Sequence, residues 1–198
     1  MNLTELDVVN DCLSTLGELP VNSLEDDHSL IAAARRAFRT SLLREQAKQW
    51  WYNTERVVLV RDIDNYVYTP ADAIRVTPVD TTLKLVQRGR RLYDSGETNE
   101  AGYQIKLERV ECIVVRQVEF DDLPPSMQIL VGVAAQLKFM VTYDADRQRY
   151  EELRREYQDA YSTLNAEHIR NAASNMLEAH PTLGKLRLIS GDRLGAFY

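Results

Sequence analysis

From Thr4 to Leu16 the apolar positions Leu6, Val9, Leu13 and Leu16 recur at three- and four-residue intervals, the spacing of one helix face. Thr4 stands where an N-cap belongs, and Asp7 three residues on can complete a capping box. Gly17 supplies a left-handed stop and Pro20 prevents continuation. After the polar loop NSLEDDHS, a second helix is predicted from about Ser29 to Gln49, with Ile31, Ala34, Phe38 and Leu42 as its buried stripe. Arg35, Arg36, Arg39, Arg44 and Lys48 lie elsewhere on it, either as a solvated face or as a partner-binding one.

At Trp50 the period changes. WWYNTERVVLVRD, DNYVYTP, TLKLVQ, RRLYD, YQIKLE and ECIVVRQVEF are short runs rich in Val, Ile and Tyr, broken by Asn65, Pro70, Pro78, Gly89, Gly96 and Gly102. They predict a lobe of about five strands, mostly antiparallel because the connections are too short for crossover helices. Thr98 to Gly102 reads as an exposed loop tip.

Helical spacing returns after Phe120. Met127, Leu130, Val131, Ala134, Leu137 and Val141 line one face, and Ile129, Val133, Phe139 and Met140 surround it, so this helix should be covered on several sides. A last helix is predicted from about Asp146 to Met176, with Tyr150, Leu153, Tyr157, Ala160 and Leu164 as a helix–helix seam. Glu151 is spaced to pair with Arg155 and with Arg147. The segment HPTLGKLRLISGDRLGAFY then loses helical signals. The fold class is α+β: an antiparallel bundle of two N-terminal and two C-terminal helices (residues 1–49 and 121–177), an inserted β lobe (50–120), and an extended C-terminal arm (178–198).

The 198 residues suffice for one substantial core, or a core with a second lobe. A net charge of -6 argues against free binding to nucleic acid through phosphate neutralisation. Cys12 and Cys112 are far apart in apolar surroundings, which predicts two buried thiols in a reducing compartment. The start of the chain has no signal-peptide pattern. The longest apolar run, Ile129 to Val141, is too short for a bilayer and contains Gln136 and Lys138, so no membrane partner is expected.

Chemistry is harder to find. Asp121 and Asp122 sit side by side before Pro124 and Pro125, which suit a first helical turn. Adjacent carboxylates rarely face one cavity. The pair reads as a strand-to-helix joint, with Asp122 the better placed to cap or orient the helix. Asp62-x-Asp64-Asn65 begins like a calcium loop, but Val67 and Ala73 stand where the loop needs Gly and Glu. His28, His168 and His180 lack metal-ligand spacing, and each is expected at a surface or interface. There is no phosphate-binding glycine loop and no nucleophile elbow. No catalytic residue, metal or cofactor is therefore expected. The candidates are partner contacts: Arg35 and Arg39 on the second helix, the adjacent Trp50 and Trp51, and Arg88 and Arg90 at a hairpin tip. In the arm they are Leu186, Leu188, Ile189, Leu194, Phe197 and Tyr198, more apolar surface than water tolerates well.

Several stretches look familiar. Val9-Asn10-Asp11-Cys12-Leu13, Leu16-Gly17-Glu18-Leu19-Pro20-Val21 and Leu24-Glu25 resemble the opening of the tail tubular protein A family of short-tailed bacteriophages. Trp50 to Asn53, Leu92 to Asp94 and Phe120 to Pro124 follow as landmarks in the family's order. The resemblance implies a structural virion protein made in the host cytoplasm and located at the head–tail junction. It implies a dodecameric homo-oligomeric ring between the portal protein and the tail nozzle protein, tail tubular protein B. DNA would pass through the channel without specific binding. In the family the helical part and C-terminal arm face the portal, and the strand lobe faces the nozzle or neighbouring subunits. Two readings compete: a head-completion adaptor of another tailed phage, and a hydrolase of host cell-surface polysaccharide.

Overall fold

The capping box forms as the sequence predicts. Thr4 Oγ1 accepts from the Asp7 amide at 3.2 Å and Asp7 Oδ2 accepts from the Thr4 amide at 2.9 Å, opening α1 (Glu5–Ser14). α1 is shorter than expected, and its buried face is Val8, Val9, Cys12 and Leu13, with Leu6 and Leu16 at its margins. This computed structural model describes residues 3–143 and 146–178. Within them lie three further α-helices, α2 (Ile31–Gln46), α3 (Pro125–Thr142) and α4 (Arg147–Glu178). Five strands come between α2 and α3: β1 (Thr54–Val60), β2 (Ala73–Pro78), β3 (Leu85–Arg88), β4 (Arg91–Asp94) and β5 (Arg109–Arg116). The α+β layout of two helices, an inserted antiparallel β region and two helices is the one observed.

α3 is the central helix and packs against α1, α2 and α4. Val8, Leu13, Ala34, Phe38, Trp50, Phe120, Met127, Leu130 and Leu164 share one core there. α3 is not covered all round: Ile129 is 48% and Val141 69% exposed, so Val141 leaves the stripe assigned to it. Tyr150, Leu153, Tyr157, Ala160 and Leu164 do form the inward face of α4. Glu151 meets Arg154 at 4.0 Å instead of Arg155 or Arg147. The arm residues 179–198 lie outside the described residues.

The lobe has its own core of Leu59, Val67, Val76, Leu85, Leu92, Ile105, Val110, Cys112 and Val114. β5 is the middle strand of an antiparallel sheet ordered β1-β5-β2, and β3-β4 is a separate hairpin. Two expected strands are absent. In DNYVYTP only isolated bridges form, Arg61 with Val67 and Tyr68 with Arg91. YQIKLE is not a strand because the chain makes a 3-10 turn over Asn99–Tyr103. Ile105 then drops into the core, its amide donating to Asn65 O at 2.9 Å. Thr98 to Gly102 is accordingly not all loop tip, since Gly102 is buried. β2 takes the place of a missing strand, with Pro78 at its end. A proline is tolerated at that position because β2 is at the sheet edge.

Candidate functional site

Polar groups that look like surface residues in the sequence hold the helices to the lobe. Gln46, 0% exposed at the end of α2, lies against the chain returning from β5. Its Oε1 accepts from the Val118 amide at 2.8 Å and its Nε2 donates to Val118 O at 2.9 Å. Asn53, at the start of β1, donates to Gln46 O at 3.0 Å and Arg116 O at 3.1 Å and accepts from the Trp50 amide at 3.0 Å. Arg116 donates to both Asp72 oxygens at 2.9 and 2.8 Å and to Glu55 at 2.8 Å. Those hydrogen bonds hold the Asp72 carboxyl below its ordinary value. Both chain crossings between helices and lobe are thus clamped side by side. Gln128, also buried, donates to Phe120 O at 2.9 Å and fixes the turn before α3.

Asp121 and Asp122 lie in a 3-10 turn, Phe120–Asp122, and both are exposed. The N-cap of α3 is Pro124, with no side-chain cap bond, so Asp122 does not cap the helix. Pro125 at N1 has no amide hydrogen to satisfy, which removes part of the need for a cap. The joint is real, but the prolines and Gln128 make it.

Among the described residues the most enclosed carboxylate is that of Glu45 on α2, 1% exposed. Lys48 Nζ bonds its Oε2, and Tyr157 OH of α4 lies 3.2 Å from both carboxylate oxygens. Burial works against the Lys48 ammonium, but its hydrogen bonds to Glu45 and Tyr157 prevail and hold it above its ordinary value. Lys48, Tyr157 and Glu45 satisfy one another and tie α2 to α4, so the cluster reads as packing. Cys12 and Cys112 are free, buried thiols, pushed by burial up to about 12 and about 11. Among the described residues, no group of three His, Cys, Asp or Glu could hold a metal ion. No described helix is long and apolar enough to cross a membrane.

The partner-contact candidates scatter over the molecule. Arg35 pairs with Glu5 at 2.9 Å and joins α2 to α1. Arg39 is exposed beside a groove of about 660 Å³ between α1, α2 and the Phe120 turn, floored by Leu6, Leu24 and Leu42. Trp50 is 3% exposed, with its indole donating to Glu45 O at 2.8 Å, so in this fold it is core. Trp51 is half-buried against Tyr52 and His168. That contact places His168 in a half-buried aromatic nest, not on the open surface. Arg88 and Arg90 are exposed at the β3–β4 hairpin tip, where Gly89 takes the positive φ of 58° the turn demands. Leu186, Leu188, Ile189, Leu194, Phe197 and Tyr198 lie outside the described residues.

The tip is more ordered than its sequence shows. The Arg88 guanidinium lies 3.6 Å from the Tyr93 ring centroid, and Arg91 lies 4.3 Å from Tyr103 and 5.0 Å from Tyr66. The sequence marks the arginines; the tyrosines beneath them, Tyr66, Tyr93 and Tyr103, come from three separate stretches that only the fold brings together.

Over residues 6–186 the chain matches a family model described as tail tubular protein. No curated protein matches it.

Proposed function

The chain belongs to the tail tubular protein family and is a structural virion protein of a phage tail; we propose that it is the head-to-tail adaptor. In this reading copies form a closed ring, dodecameric by family resemblance, that links the portal to the tail nozzle and continues the DNA exit channel. The role is non-enzymatic. The helical bundle (1–49 and 121–177) and the arm (178–198) meet the portal, and the lobe (50–120) points to the nozzle or to neighbouring subunits.

The observation that carries this reading is the family match across 6–186, on a chain in which buried Gln46 and Asn53 join the helices to the lobe. An adaptor needs such a joint, because load between portal and nozzle passes through the two crossings between bundle and lobe. The net charge of -6 supports the channel role, since an acidic wall repels DNA and prevents adhesion. The test is ordered assembly from purified components. Nozzle protein should sediment with portal only when this protein is present. Nozzle that joins portal equally well without it would refute the adaptor role.

A further inference from the structure

Three cations crowd the β3–β4 hairpin tip, Arg88, Arg90 and Arg91, in a chain whose average is acidic. Among the described residues none of the three forms an ion pair. Two of them are nonetheless fixed in place. The Arg88 guanidinium sits over the Tyr93 ring, and that of Arg91 over both Tyr103 and Tyr66. A guanidinium resting on a ring is held by the ring's quadrupole while its N–H donors remain free at the edge.

The rings are themselves locked. Tyr93 is 5% exposed, donates its hydroxyl to Glu97 O at 3.1 Å, and meets Tyr103 edge-on at 4.9 Å. Gly102 passes under it so closely that a Cβ there would stand 2.5 Å from the Tyr93 Cζ and 2.9 Å from Asp94 O. Only glycine permits that approach. The 3-10 turn that interrupts the expected YQIKLE strand thus serves to seat Tyr93 and Tyr103 under the two arginines.

We propose that this tip is a preformed docking surface for an acidic protein partner, whose carboxylates are gripped by the stacked Arg88 and Arg91 and attracted by Arg90. The partner this favours is the nozzle-side tail protein, which rests on the adaptor reading. Planar guanidinium forks match carboxylates in pairs, and holding them beforehand removes much of the ordering cost of binding. Nucleic acid fits less well. Tyr93, Tyr103 and Tyr66 already carry Arg88 and Arg91, which leaves Tyr68 as the exposed ring beside them, and three cations neutralise few phosphates.

The test measures affinity of the full-length protein for purified nozzle protein, purified portal protein and a duplex oligonucleotide, at fixed salt. Arg90→Glu changes the charge without touching a stacked ring. Arg88→Glu with Arg91→Glu removes the forks. Gly102→Ala keeps every charge but displaces Tyr93. All three should weaken nozzle binding, the double variant by about tenfold or more, and leave portal binding unchanged. Arg88→Lys with Arg91→Lys, which keeps charge and loses the fork, should fall between wild type and reversal. Wild-type nozzle affinity in both the double and the Arg90→Glu variants overturns the proposal. So does loss confined to the oligonucleotide or to the portal. A wild-type protein that binds neither portal nor nozzle overturns the adaptor reading and this one with it.

Discussion

Gln46 shows how much a single side chain can carry here. It ends a helix on which Arg36, Arg39 and Arg44 face water, yet it is fully buried and its amide pairs with both backbone groups of Val118. Gln46→Leu keeps the volume and strands both partners. A net hydrogen bond contributes about 1 kcal/mol and an unsatisfied buried group costs about 1–3 kcal/mol, so a loss of about 2–4 kcal/mol in urea unfolding is expected. A change below about half a kcal/mol would show the clamp to be passive. Asp11 offers the opposite case. Although Asp11 is exposed, loss of water around it, then Asp7 and Glu156 nearby, raise its carboxyl above the ordinary 3.8. The folded state therefore favours the protonated form, and ionisation above that value works against folding. Asp11→Asn should raise the melting temperature at pH 7, and the gain should vanish below about pH 2.5, where both states are protonated. Neither residue was legible beforehand. A Gln or Asp within an amphipathic pattern reads as solvated, and only packing of distant segments buries Gln46 and brings Glu156 near Asp11.

At the scale of elements, some local rules held and others, such as the pairing of Glu151 with Arg155, did not. The Thr4–Asp7 box, the Ile31-Ala34-Phe38 stripe and the α4 seam are all set by neighbours within one helix, and all formed. Thr4→Ala should cost about 1 kcal/mol at neutral pH. Its hydrogen bonds hold Asp7 below 3.8, so the cap is fully present above that value and lost as pH falls through the folded one. The Thr4→Ala penalty should shrink in acid accordingly, as urea titrations at pH 7 and pH 2.5 would report. Leu164→Ala, at a site with 0% exposure where α4 enters the main core, should cost about 2–4 kcal/mol. The strands were less readable. YQIKLE alternates as a strand does, but Gly102 and the 3-10 turn serve Tyr93 instead. Ala73–Pro78 is not among the expected strand runs, with Pro78 marking only a break, and becomes β2 because β5 offers an edge where that proline is harmless. Pairing partners far apart in sequence decide both cases.

On the scale of the whole molecule, the main helical core and the lobe core meet through one clamped joint. The main core belongs to the helices, the second to the lobe, and Gln46, Asn53 and Arg116 bind the two crossings together. The helices–lobe–helices order was readable because hydrophobic period switches twice, near Trp50 and near Phe120. The joint was not, because its residues are polar and spread from Gln46 to Val118. A stiff joint between two bodies suits a part that transmits position from one neighbour to another. The N-terminal motif pointed to the tail tubular family from Leu6 onward, and the family match extends through residue 186. The central claim is that these surfaces exist to assemble. Mass measurement of the purified protein alone and mixed with its portal tests it most directly. One discrete, portal-dependent complex carrying a closed ring of fixed copy number is the expected result. A mixture in which portal and protein keep their separate masses at every ratio would contradict it.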